Sequence, residues 1–148
     1  MDVNYAIPFM SKDWIIANSL SFLYAISIMG IGKFLNEKNR IVFIRYFVYL
    51  FIISYVIYHV LHIKGGTWSI DKRLPFHLCG FSSVITCFIL FIKKKQIWFE
   101  FLFYAGILGG LNALLTPLID NYTGTSFFYV EYFYSHTSII ILPLYMYY

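Results

Sequence analysis

The sequence predicts an all-α polytopic membrane bundle of about five transmembrane helices with its N-terminus outside, and three observations lead there. The first is composition: 60% of the 148 residues are hydrophobic, 22% are aromatic and only 12% are charged, against about 25% charged in soluble domains. A soluble fold of this size could not bury so many Phe, Tyr, Ile and Leu side chains, whereas a bilayer acts as their solvent. The second is segmentation into apolar runs of about 20 residues, the length that crosses a hydrocarbon core, separated by short charged breaks. The third is the uneven sharing of Lys and Arg between alternate breaks, which carries the orientation.

The first span covers about residues 14–32 and is expected to be retained, because Asp2, Lys12 and Asp13 precede it in place of a basic signal-peptide start. Lys33, Glu37, Lys38 and Arg40 separate it from a second span, 41–62. Lys64, Gly65, Gly66, Asp71, Lys72 and Arg73 then lead to a third, 74–92. Pro75 opens that span, since a first-turn N–H would be unpaired anyway. The run Lys93-Lys94-Lys95 ends it, and a fourth span, 97–119, closes at Pro117 and Asp120. A polar loop, 121–126, precedes a last span at 134–148 that is barely long enough. All of it reads as one integral membrane domain, residues 1–148, expected in the cell (plasma) membrane.

Lys33, Lys38, Arg40, Arg45 and Lys93 to Lys95 fall on one face, against Lys12, Lys64, Lys72 and Arg73 on the other. The richer face is cytoplasmic by the positive-inside rule, so the N-terminus is outside. The formal net charge of +4 lies in short loops and speaks to topology and anionic lipid. There is no basic, aromatic-interleaved patch, so nucleic acid is not an expected partner.

This topology brings His59, His62, His77 and His136 to the non-cytoplasmic leaflet, together with Cys79, Asn112, Thr116 and Asp120. Ionisable groups in apolar spans are costly, face the bundle interior and point to function. Cys79 sits near a helix N-terminus, where the macrodipole favours the nucleophilic thiolate. The competing role is that of a small buried hydrophobe, which suits the deeper Cys87. The two sulfurs, roughly 12 Å apart along one helix, are too distant for a disulfide.

His136, in Tyr-Ser-His-Thr-Ser, is a candidate general base for a thiol, or an interfacial histidine bonded to Ser135 or water. His77 lies two residues before Cys79, on another helix face, and is expected to contact a loop or headgroup or to cap a neighbouring helix. His59 and His62 at i, i+3 share a face, which suits metal or haem ligation. Asn112 and Thr116, one turn apart, can orient a His or hydrogen-bond an ester. Gly106, Gly109, Gly110 and Ala113 form a small-residue stripe that lets another helix approach closely.

Three motifs, Leu74-Pro75-Phe76-His77-Leu78-Cys79, Ala113-Leu114-Leu115-Thr116-Pro117 and Phe133-Tyr134-Ser135-His136, together resemble the successive signatures of the YwaF-like family of integral membrane proteins over about residues 74–145. That family includes a vertebrate transmembrane phospholipid acyltransferase. The resemblance implies a lipid acyltransferase or transacylase with Cys79 as nucleophile and His136 as base; His77, Asn112, Thr116 and Asp120, gathered at the same leaflet, are the expected substrate contacts. A membrane phospholipid is the expected partner, and no cofactor is expected. Here Leu118 and Ile119 separate Thr116-Pro117 from Asp120, where the family's Asp usually follows directly. Family members usually carry further helices after the Ser-His span, so a truncated, inactive subunit, a homo-oligomer or a helix-supplying partner is also expected. The alternative from another class is a non-enzymatic membrane protein whose histidines bind metal, haem or a lipid headgroup.

Overall fold

Five helices carry the chain in the computed structural model, which describes residues 4–70, 77–119 and 126–147. Helix α1 spans Lys12–Phe34 and starts where sequence chemistry dictates. Ser11 holds an extended backbone, and its hydroxyl accepts the Trp14 N–H at 3.2 Å. Asp13 in the first turn and Lys33 in the last complement the macrodipole. Helix α2, Glu37–Lys64, begins after a two-residue break, with the Asn36 side chain accepting the Asn39 N–H at 2.9 Å. It stops at Gly65, and Gly66 takes the left-handed conformation (φ +66°) that turns the chain away.

These two helices and α4, Lys95–Leu115, are long and apolar enough to cross a membrane. Large apolar side chains such as Phe22 and Leu50, 66% and 62% exposed, point outward from the bundle, as lipid-solvated residues do.

Three expected boundaries are corrected. Helix α3 covers Leu78–Phe88, not 74–92. Its 11 residues reach about 16 Å, half of a hydrocarbon core. It begins with His77 as extended N-cap rather than with Pro75 in its first turn, and Leu74 to Phe76 lie outside the described residues. The fourth helix ends at Leu115, not 119, because Pro117 cannot continue it. Leu118–Ile119 (β2) instead pairs antiparallel with Tyr5–Ala6 (β1). The last helix, α5, runs Ser126–Tyr147, starting eight residues before the expected 134. Its 22 residues give about 33 Å, comparable in length to a hydrocarbon core, although it is not among the helices apolar enough to cross one. The run from Phe127 to Tyr134 propagates it, and Glu131 within that run is buried.

The last four carbonyls of a helix have no partner within it, and at the end of α4 all four are matched by name. Asn112 O accepts the Thr116 N–H at 3.0 Å, Ala113 O the Tyr132 hydroxyl at 3.1 Å, Leu114 O the Asn18 amide at 3.1 Å and Leu115 O the Trp14 indole at 3.0 Å. Helices α1 and α5 are thereby stitched to the place where α4 stops.

Within α4, Leu102–Gly106 is a π-helical turn ending at a glycine. Across from it, Pro143 lacks the N–H that would bond Ile139 O, and that carbonyl lies 3.0 Å from where a Gly106 Cβ would stand. Helix α5 packs on every other helix and is the hub of the bundle. Its C-terminal half seats Ile141 and Leu142 in an apolar core with Phe47, Val48, Ile85, Ile89 and Leu102.

Candidate functional site

A cavity of about 310 Å³ opens at the end of the bundle where α2 and α4 finish and α3 and α5 begin. Antiparallel threading brings those four ends together, as the alternating spans require. The N-terminal segment lies at the same end, with Ile7 N–H bonded to Pro117 O at 3.1 Å.

Cys79 enters the cavity from the first turn of α3. It is half-buried, and its Sγ lies 3.0 Å from where a Cβ on Gly109 would stand. The glycine stripe therefore has a local purpose: a side chain at 109 would strike the thiol, and one at 110 would strike His136 O at 2.8 Å. Through these close approaches α4 holds α3 and α5 side by side, and with them the cysteine and the histidine.

His136 reaches the same cavity from α5. Its Nδ1 lies 2.7 Å from Tyr132 O. A carbonyl only accepts, so Nδ1 carries the proton and the neutral ring keeps its lone pair on Nε2. Tyr132 also packs its ring on the imidazole, centroids 4.3 Å apart. The Tyr132 hydroxyl donates to Ala113 O and accepts the Leu118 N–H at 3.3 Å. One tyrosine thus orients the histidine and anchors it to the end of α4.

His77 lines the cavity too, but it caps its own helix, not a neighbouring one: its Nδ1 accepts the Gly80 N–H at 2.8 Å. Asn112 and Thr116 line the cavity from the end of α4, where the Thr116 hydroxyl donates to Asn112 O at 2.9 Å. Asp120 falls outside the described residues. Five of the six expected site residues therefore share one cavity.

The i, i+3 histidines do not converge. His59 lines the cavity and its Nδ1 accepts the Trp68 indole N–H at 3.1 Å. His62 is buried, shares a 2.8 Å hydrogen bond with the Thr67 hydroxyl and stacks on Phe128 at 4.4 Å. Among the described residues, no group of three or more His, Cys, Asp or Glu is placed to hold a metal ion. Cys87 is packed between Phe51 and Ile139.

Sequence reasoning missed Tyr132, Glu131, Ser83, Tyr55 and Tyr58, all on the cavity wall. The i, i+4 relation of Tyr132 to His136 was the available signal, and it has meaning only once residues 127–134 are helical.

A protein-family model, the TMEM164 family, matches residues 9–148. This chain belongs to the TMEM164 family. The match covers nearly the whole chain and shows a transmembrane family, under a name other than the YwaF-like one that the motifs over 74–145 suggested. No curated protein and no solved structure matches. Family membership and three helices apolar enough to cross a bilayer make this TMEM164-family chain an integral membrane protein.

Proposed function

We propose that the chain is a membrane-embedded acyltransferase that moves a fatty acyl chain from a phospholipid through a thioester on Cys79. The observation that carries this is the convergence of Cys79 and His136 from separate helices on one cavity, with the Tyr132 carbonyl leaving His136 Nε2 as the basic nitrogen. A nucleophile, a base and a group that orients the base form the minimal apparatus of covalent acyl transfer. The YwaF-like motifs that contain Cys79 and His136 support the same assignment.

In the first half-reaction His136 Nε2 takes the Cys79 thiol proton and the sulfur bonds to the ester carbonyl carbon. The carbon–oxygen bond then breaks, and the proton returns to the leaving lysophospholipid oxygen. In the second half an acceptor hydroxyl gives its proton to His136, its oxygen takes the acyl carbon, and the thiol is restored. Asn112 and Thr116 line the same cavity, where they bound the space for the substrate ester. The excess of basic residues at the far end, Lys33, Lys38, Arg40, Arg45 and Lys93 to Lys95, supports a cavity on the non-cytoplasmic side.

The test is incubation of the purified chain in lipid vesicles with an acyl-tagged phospholipid. A hydroxylamine-labile adduct is expected on wild type and absent from Cys79→Ala. Equal labelling of that variant sinks the mechanism.

A further inference from the structure

Three imidazoles, His59, His77 and His136, line the cavity, and the Nδ1 atoms of the last two are committed in opposite senses. His136 Nδ1 faces a carbonyl and must donate, whereas His77 Nδ1 faces the Gly80 N–H and must accept. In its neutral form His77 therefore carries its proton on Nε2. Both rings line the cavity that Cys79 enters. His136 offers a lone pair there and His77 a hydrogen-bond donor. His59, whose Nδ1 accepts the Trp68 indole N–H, also keeps its proton on Nε2. It stands on α2, however, and not at the start of the helix that carries Cys79.

Acyl transfer needs both. As sulfur adds to the ester carbon, negative charge builds on the carbonyl oxygen, and a donor already aimed at that position stabilises the transition state more than the ground state. His136 is tied to the opposite task, and the Thr116 hydroxyl already donates to Asn112 O. His77 is also the residue from which the helix of Cys79 starts, so nucleophile and donor are set by the same helical turn.

We infer that His77 is a further catalytic residue, whose Nε2–H donates to the carbonyl oxygen of the acyl ester and holds the oxyanion while Cys79 attacks. This rests on the acyl-transfer reading above. The Nε2 proton stays on His77 throughout, so the proton balance through His136 is unchanged. The same assignment explains why a histidine serves as N-cap where Ser, Thr, Asp or Asn would suffice, since those residues satisfy Gly80 without offering a donor at the Nε2 position.

Two substitutions separate the donor from the cap. His77→Asn keeps an acceptor where Nδ1 stands and loses the Nε2 donor, whereas His77→Gln keeps an amide N–H near the Nε2 position and loses the cap. The readout is the rate of adduct formation on Cys79 in vesicles of saturating acyl-tagged phospholipid, with thermal unfolding followed in parallel. The expected result is a fall of about 10²- to 10³-fold in His77→Asn with wild-type unfolding, and a smaller fall in His77→Gln despite lower stability. Adduct formation at the wild-type rate in His77→Asn, or a loss that follows stability across the two variants, overturns the inference and leaves Cys79 and His136 in place. A wild-type chain that forms no Cys79 adduct overturns the acyl-transfer reading, and this inference with it.

Discussion

The two halves of α5 line the same bundle but meet opposite surroundings. Its N-terminal half presents Phe128, Glu131, Tyr132, Ser135 and His136 to the cavity, while its C-terminal half buries Ile139, Ile141 and Leu142 among apolar side chains. Around the first half the backbone is irregular: α4 stops, a strand pair forms, and α3 begins on a side-chain cap. Around the second half helix prevails, apart from the π-helical turn facing Pro143 and the non-helical residues 89–94 that follow the short α3. A bilayer tolerates non-helical backbone only where protein or a wet cavity satisfies it. The matched carbonyls of Asn112 to Leu115 meet that condition. Polar chemistry therefore gathers at the end where α4 stops and the strand pair forms, and the other end supplies the apolar packing.

The largest effect should follow from His136. Replacing it by Gln removes the basic nitrogen, and adduct formation on Cys79 should fall about 10²- to 10⁴-fold while thermal unfolding stays close to wild type. An unchanged rate would show that the polar end does not depend on this base. The apolar end should respond the other way. Leu142 is fully buried, and Leu142→Ala should cost stability near the low end of the ~2–5 kcal/mol seen in soluble cores. The low end applies because lipid is as apolar as leucine, so the lost term is packing rather than transfer from water. The rate per folded molecule should not change, and a specific loss of rate would break the division between the halves.

The sequence made α1 and α2 legible because both are long apolar runs with a polar cap residue and charged breaks beside them. It also placed Cys79, His77, Asn112, Thr116 and His136 at one end, since that requires only alternating direction. The start of α5 was hidden because Tyr and Glu dilute the apolar signal of residues 127–134, although tyrosine buries a large ring and exposes only its hydroxyl. His77 as a cap was hidden by the nearer proline. The bonds from Trp14 and Asn18 to the end of α4 were beyond reach, since those partners are 101 and 96 positions apart and no local periodicity records them.

The smallest effects separate two glycines that sequence alone cannot rank. On Gly110 an added Cβ would stand 2.6 Å from Ile140 Cγ1 and 2.8 Å from His136 O. The isoleucine end can shift, but the carbonyl belongs to the α5 backbone, so Gly110→Ala must push that helix away. A cost of about 1–3 kcal/mol is expected, as for other overpacked sites, together with slower adduct formation, because the displaced carbonyl belongs to His136 itself. On Gly30, in α1, an added Cβ meets nothing within 4 Å. Gly30→Ala should be neutral or stabilise by up to ~1 kcal/mol through helix propensity alone, with the adduct rate unchanged. Thermal unfolding in detergent, paired with the adduct assay, measures both variants. If Gly110→Ala were as harmless as Gly30→Ala, the close approach of α4 to α5 could not be what holds the cysteine and the histidine in one cavity.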